Sequence, residues 1–112
     1  MSRQQRLKRK LDRTEARFAR HFGSLQRVEF IRSLPCEVTG LCNEGSHNAH
    51  TRSRGAGGTY RDIVPLQWRV HRHFDEMSEA KFELIYQRTK QSIRDRAPMY
   101  QQLWEGHRGS QE

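Results

Sequence analysis

Apolar residues near the start of the chain recur at helical intervals. Leu7, Leu11, Phe18 and Phe22 share one stripe of a 3.6-residue repeat, which predicts a helix over residues 1 to about 22 with its apolar side laid on the rest of the domain. Val28, Ile31 and Leu34 continue a short helical pattern until Pro35 stops it. Between Pro35 and Pro65 the period is lost and Gly, Asn, Ser, Thr and His take over, with Gly40, Gly45, Gly55, Gly57 and Gly58 marking turns. Ile63, Val64 and Leu66 form the one clearly buried extended run. A small β-hairpin is therefore expected from residues around 47–51 and 62–66, with the glycines in the connecting loop. Residues 67–76 follow, and on a helix His71 and Asp75 stand one turn apart on a shared face. Ser78 suits the N-cap of the next helix, in which Phe82, Ile85, Tyr86, Thr89 and Ile93 keep the 3.6-residue period. Ala97-Pro98 ends it, and Pro98 suits the first turn of a last helix carrying Met99, Leu103 and Trp104 before Gly106. Residues 107–112 read as a disordered tail. The expected architecture is a small α+β core, residues 23–106, between a basic N-terminal arm or helix, residues 1–22, and that tail.

Composition narrows the function. A chain of 112 residues with 33% hydrophobic residues and a mean hydropathy of −1.06 has material for one modest core. Twenty-one Lys and Arg against thirteen Asp and Glu leave a formal charge of +8 and a pI near 10.3, which points to a densely anionic partner. DNA is the first candidate, and Arg3, Arg6, Lys8, Arg9, Lys10, Arg13, Arg17 and Arg20 make the arm its electrostatic handle. The other reading of that run is a solvated charged helix that aids solubility. No segment has the apolar face of a membrane-surface helix or the length of a span, and the opening residues lack the apolar run of a signal peptide, so a cytoplasmic protein is expected. Cys36 and Cys42 are too few for a disulfide scaffold and are read as free thiols. No protein partner can be inferred.

The chemistry-bearing stretch runs Ala49-His50-Thr51-Arg52-Ser53-Arg54-Gly55-Ala56-Gly57-Gly58, then Asp62-Ile63-Val64-Pro65-Leu66, then His71 and Asp75. Each histidine alone is unremarkable as a core or surface residue. Their order carries more: a strand His, a turn-rich loop, an extended Asp-Ile-Val-Pro-Leu, and a His–Asp pair at i and i+4. This arrangement resembles the HNH endonuclease family, in particular its small phage and prophage members, over residues 33–76, with Ser33-Leu34-Pro35-Cys36 as a matching lead-in.

The resemblance implies a ββα-metal fold gripping one divalent ion, Mg²⁺, Mn²⁺, Ni²⁺ or Zn²⁺, and metal-dependent hydrolysis of DNA phosphodiester bonds in phage recombination, replication or packaging within the host cytoplasm. It further implies His50 as general base, Asp62 as the residue orienting base and loop, and His71 with Asp75 as metal ligands. Arg52, Arg54, Arg69 and Arg72, with Arg61 and with Gly55, Gly57 and Gly58, are expected to face phosphate, because guanidinium forks and bare backbone N–H groups can approach it closely. Three positions depart from the family pattern. Ala49 stands where many members place a ligand, which leaves His50 as base or ligand and makes His47 a further candidate ligand. Asp75 replaces a His. The pairs that hold a structural zinc in many relatives read here as Cys36 with Thr39 and Gln67 with Val70, so no structural zinc is expected. His73 is expected to face away from the site. Two other functions remain open on sequence: a non-catalytic nucleic-acid-binding module that keeps the fold, and a zinc-ribbon-like adaptor using Cys36, Cys42 and His47.

Overall fold

The computed structural model describes residues 1–111. Helix α1, Arg3–Phe22, is opened by a reciprocal cap: the Ser2 hydroxyl accepts from the Gln5 N–H at 3.1 Å, and the Gln5 side chain accepts from the Ser2 N–H at 2.9 Å. It ends at Gly23, whose φ of +84° turns the chain as a residue with a Cβ rarely can. The helix is as expected, but its packing is not. No residue of α1 is buried, Leu7 and Leu11 are exposed, and only the last turn, with His21 and Phe22 half-buried, meets the domain. A stripe at helical spacing identifies a helix, but not whether a surface is there to receive it.

Ser24 caps α2, Leu25–Arg32, which buries Ile31 and, unusually, Arg27. After Pro35 the chain closes a loop on itself, with Cys36 donating to the Leu41 carbonyl and Gly40 to that of Cys36. Strands β1, His47–His50, and β2, Ile63–Leu66, then pair antiparallel, with His47 opposite Leu66, Asn48 opposite Pro65, Ala49 opposite Val64 and His50 opposite Ile63. All four β2 residues are buried because helices cover both faces, α2 on one and α3, Trp68–Glu76, on the other. The Glu37 N–H donates to the Pro65 carbonyl at 2.9 Å and ties the preceding loop to β2.

The remaining helices are α4, Glu79–Tyr86, capped by Ser78; α5, Lys90–Arg94, capped by Thr89; and α6, Ala97–Gln111. The single helix expected from Ser78 to Ile93 is thus two, broken where Gln87 adopts the left-handed conformation at φ +57°. Helix α6 begins at Pro98's turn as expected but runs through Gly106 and Gly109 to Gln111, so the tail reading fails for residues 107–111; Glu112 lies outside the described residues. The result is a small mixed α+β fold in which N- and C-terminal helices flank a two-stranded antiparallel sheet. No helix among the described residues is long and apolar enough to cross a membrane.

One polar network pins the C-terminal segment to the loop that precedes the hairpin. The half-exposed Arg96 and the Tyr100 hydroxyl donate to Glu37 Oε1 at 3.1 and 2.6 Å, and Arg88 pairs with Oε2. Burial pushes the Glu37 carboxyl up, but the hydrogen bonds from Tyr100, Arg88 and Arg96 together outweigh it and hold its pKa below the ordinary value. Burial and the same hydrogen bond push the Tyr100 hydroxyl up, so it stays a donor.

Candidate functional site

Side chains alternate along a strand, so the four residues of β1 divide between two faces. His47 and Ala49 face α3, while Asn48 and His50 face the α1–α2 side; the contacts agree. The Asn48 amide donates to the Val28 carbonyl of α2 at 3.1 Å, and His50 reaches the His21 carbonyl at the end of α1 at 2.6 Å. His47 Nδ1 instead lies 3.1 Å from His71 Nδ1 on α3. On the other side of its ring, His71 Nε2 lies 3.3 Å from Asp75 Oδ2, the i, i+4 pair that helix spacing predicts.

These three side chains form a chain rather than a converging cluster. If His71 Nε2 carries a proton toward Asp75, its Nδ1 is left with the lone pair that faces His47. Burial lowers the His71 pKa below that of a free imidazole, Asp75 opposes this and His47 adds to it, so the ring is neutral at pH 7. The nitrogens that could meet one ion together are those of His47 and His71, with Asp75 as the carboxylate behind His71. The donor set does not fit Asp75 and His71 as the two direct ligands, because Asp75 sits at the opposite ring nitrogen. Among the described residues no group of three or more His, Cys, Asp or Glu converges to hold a metal ion.

No protein-family model, curated protein or solved structure matches this chain.

His50 lies apart from the His47–His71 pair. A carbonyl only accepts, so His50 Nε2 donates to His21, and the neutral ring keeps its lone pair on Nδ1. Phe22 stands edge-on to the ring at 5.1 Å. Burial lowers the His50 pKa, the His21 hydrogen bond opposes this, and the nearby Arg54 charge adds to the lowering. The residue is thus a neutral, oriented imidazole. Asp62 caps its own turn: in the 3-10 turn Tyr60–Asp62 its carboxylate accepts from the Thr59 N–H at 2.9 Å while Thr51 donates to its carbonyl. It shapes the loop, and its charge raises the His50 pKa slightly against burial.

His50 and Asp75 border one open groove of about 400 Å³, together with Arg52, Ser53, Lys90 and Arg94. Of the expected phosphate-facing residues, Arg52 alone lines it. Arg54 lies over the Phe22 ring, Arg69 over Trp68, and Arg72 pairs with Glu76 at 3.2 Å. Gly57 and Gly58 are required by the loop itself: Gly57 has φ +86°, and a Cβ on Gly58 would fall 2.0 Å from the Arg52 carbonyl oxygen. Gly55 carries no such demand. Lys90 and Arg94 were not anticipated, since no periodicity in α5 signals that its cations turn toward the hairpin loop. Lys90 is nearly buried against the Met77 carbonyl and Arg94 donates to the Thr51 carbonyl at 2.9 Å. His73 is bonded to the Tyr86 hydroxyl, away from the site as expected. Cys36 is a buried core residue and Cys42 is exposed.

Proposed function

We propose that this chain is a metal-dependent endonuclease that hydrolyses DNA phosphodiester bonds on the HNH (ββα-metal) plan. The observation that carries the reading is the pair of imidazole nitrogens 3.1 Å apart, one from the hairpin and one from the helix behind it, with Asp75 fixing the second ring. His47 and His71 would hold the divalent ion, which supplies charge neutralisation at a scissile phosphate. His50, neutral and oriented through Nε2, accepts the proton of the attacking water at Nδ1. Asp62 keeps the loop that carries Arg52 in shape, and Arg52 meets the phosphate at the groove. The basic face of α1 supplies affinity without base reading.

The alternative is a nucleic-acid-binding module without catalysis. It is favoured by one specific observation: His47 and His50 alternate along β1, with His47 Nδ1 on His71 and His50 Nε2 on the His21 carbonyl, so the base meets the groove beside Asp75 and not the paired imidazole nitrogens themselves. Incubating supercoiled plasmid with the protein and Mg²⁺, Mn²⁺ or Ni²⁺ decides between them. Nicking is expected, with His50→Ala slower by about 10²–10⁴ at unchanged circular dichroism and duplex affinity. Because the His50 pKa is lowered, the rate should hold through neutrality and fall only in acid, where the ring is protonated. Duplex binding without nicking under every metal would leave the module reading.

A further inference from the structure

We propose that the cavity between the last turn of α1, the first turn of α2 and α6 is a phosphate-binding pocket in which Arg27 meets the anion. The cavity measures about 580 Å³, within the range of small-ligand sites, and is lined by Ser24, Gln26, Arg27, Tyr60, Gln101 and Trp104 among others.

Arg27 is 1% exposed. Its Nε donates to Gln101 Oε1 at 3.2 Å, but neither Nη1 nor Nη2 has a hydrogen-bond partner among the described residues. None of the ion pairs among those residues involves Arg27. A guanidinium stays charged even where burial lowers its pKa, and a buried cation with its donors unmet is among the costliest arrangements in a protein interior. The Tyr60 ring, 5.4 Å from Arg27 Cζ, answers one face of the cation and accepts none of its in-plane N–H groups.

The surroundings favour an anion. Ser24 and Gln26 bring the N-terminus of α2 to the same cavity, where the first backbone N–H groups of a helix have no intrahelical acceptor and the dipole favours negative charge. A guanidinium fork matches two oxygens of a phosphate, which a point charge would not. Gly23 permits the arrangement: a Cβ there would lie 3.0 Å from Arg27 Cδ, so the turn passes directly over the arginine stem. Arg27 lines the cavity with its Nη atoms covered, so side chains above them must shift to admit the anion. The pocket lies on the α2 side of the hairpin, across from His47 and His71, and is independent of the reaction proposed above.

The test is thermal unfolding of the full chain, with and without Arg27→Met, in sodium phosphate, in deoxyadenosine 5′-monophosphate, and in sodium chloride of matched ionic strength. A ligand that binds only the folded state raises Tm, here by on the order of 5 °C at about ten times its dissociation constant. The rise should appear with phosphate and the nucleotide, exceed that in chloride, and vanish in Arg27→Met. A larger response to the nucleotide assigns the rest of the cavity to the base beside Tyr60 and Trp104, and an equal response assigns the pocket to phosphate alone. If Arg27→Met does not fold, the guanidinium ¹H–¹⁵N signals of Arg27 in the wild-type protein are followed instead, and a saturable shift with phosphate but not chloride is expected. No excess rise over chloride, an equal rise in Arg27→Met, or unmoved Arg27 signals would each overturn the proposal.

Discussion

Asp75→Asn tests whether Asp75 is a metal ligand or the group behind one. Its carboxylate is 3.3 Å from His71 Nε2 and its side chain is 56% exposed, so the pair contributes below about 1 kcal/mol to folding and the variant should fold normally. Loss of a carboxylate behind a ligating histidine typically costs roughly 10–100-fold in metal affinity, or about 1.4–2.7 kcal/mol. Asn keeps an oxygen that can accept from Nε2, which places Asp75→Asn near the lower figure and Asp75→Ala near the upper. His71→Ala removes the nitrogen itself and should abolish binding. Asp75 is also the one charge that raises the His71 pKa, so its removal leaves His71 still less protonated in mild acid, and the affinity loss should narrow from pH 8 to pH 6. Calorimetric titration of Mn²⁺ into the four proteins at the two pH values measures all of this. An Asp75→Asn protein as impaired as His71→Ala would make Asp75 a direct ligand, and wild-type affinity in both would move the metal elsewhere.

Glu37→Gln should lower stability by about 2–4 kcal/mol in denaturant melts, since it removes a buried charge from under Arg88 and Tyr100; Arg96 is too exposed to add much. The Glu37 pKa is depressed in the folded state, so its contribution is full above the unfolded value near 4.5 and lost as pH falls through the folded one; the wild-type and variant melts should converge in acid. Gly58→Ala should destabilise by about 1–3 kcal/mol and loosen the loop holding Arg52, read as faster amide exchange at residues 52–58, because its Cβ would collide with backbone. Removing residues 1–14 should leave Tm within about 2 °C, since α1 buries nothing, yet flatten the slope of log K against log salt for any duplex, because Arg3, Arg6, Lys8, Arg9, Lys10 and Arg13 go with it.

What could be read from the sequence was what local pattern controls. The hairpin and α3 were legible because Ile63, Val64 and Leu66 bracket Pro65 in one apolar run and because Gln67 onward changes period. The His71–Asp75 contact follows from helix geometry alone. The placement of His50 was also there to be read: His47 and His50 are three apart in a strand, an odd separation that sends them to opposite faces. Tertiary contacts were not legible. Nothing near Glu37 marks it as the acceptor of three groups 51 to 63 residues away, and nothing near Arg27 marks it as fully buried. The break at Gln87 was hidden because Phe82, Ile85, Tyr86, Thr89 and Ile93 keep one period across two helices.

The contact between the Glu37 N–H and the Pro65 carbonyl has a consequence for how this molecule can assemble. A sheet of two strands is nearly all border, and borders invite added strands from other chains. On β2 that invitation is withdrawn twice: Pro65 has no N–H to offer, and its carbonyl is already taken by the loop from Cys36. Strand addition along the outer edge of β2 is thereby closed at Pro65 to peptides and to misfolded copies alike.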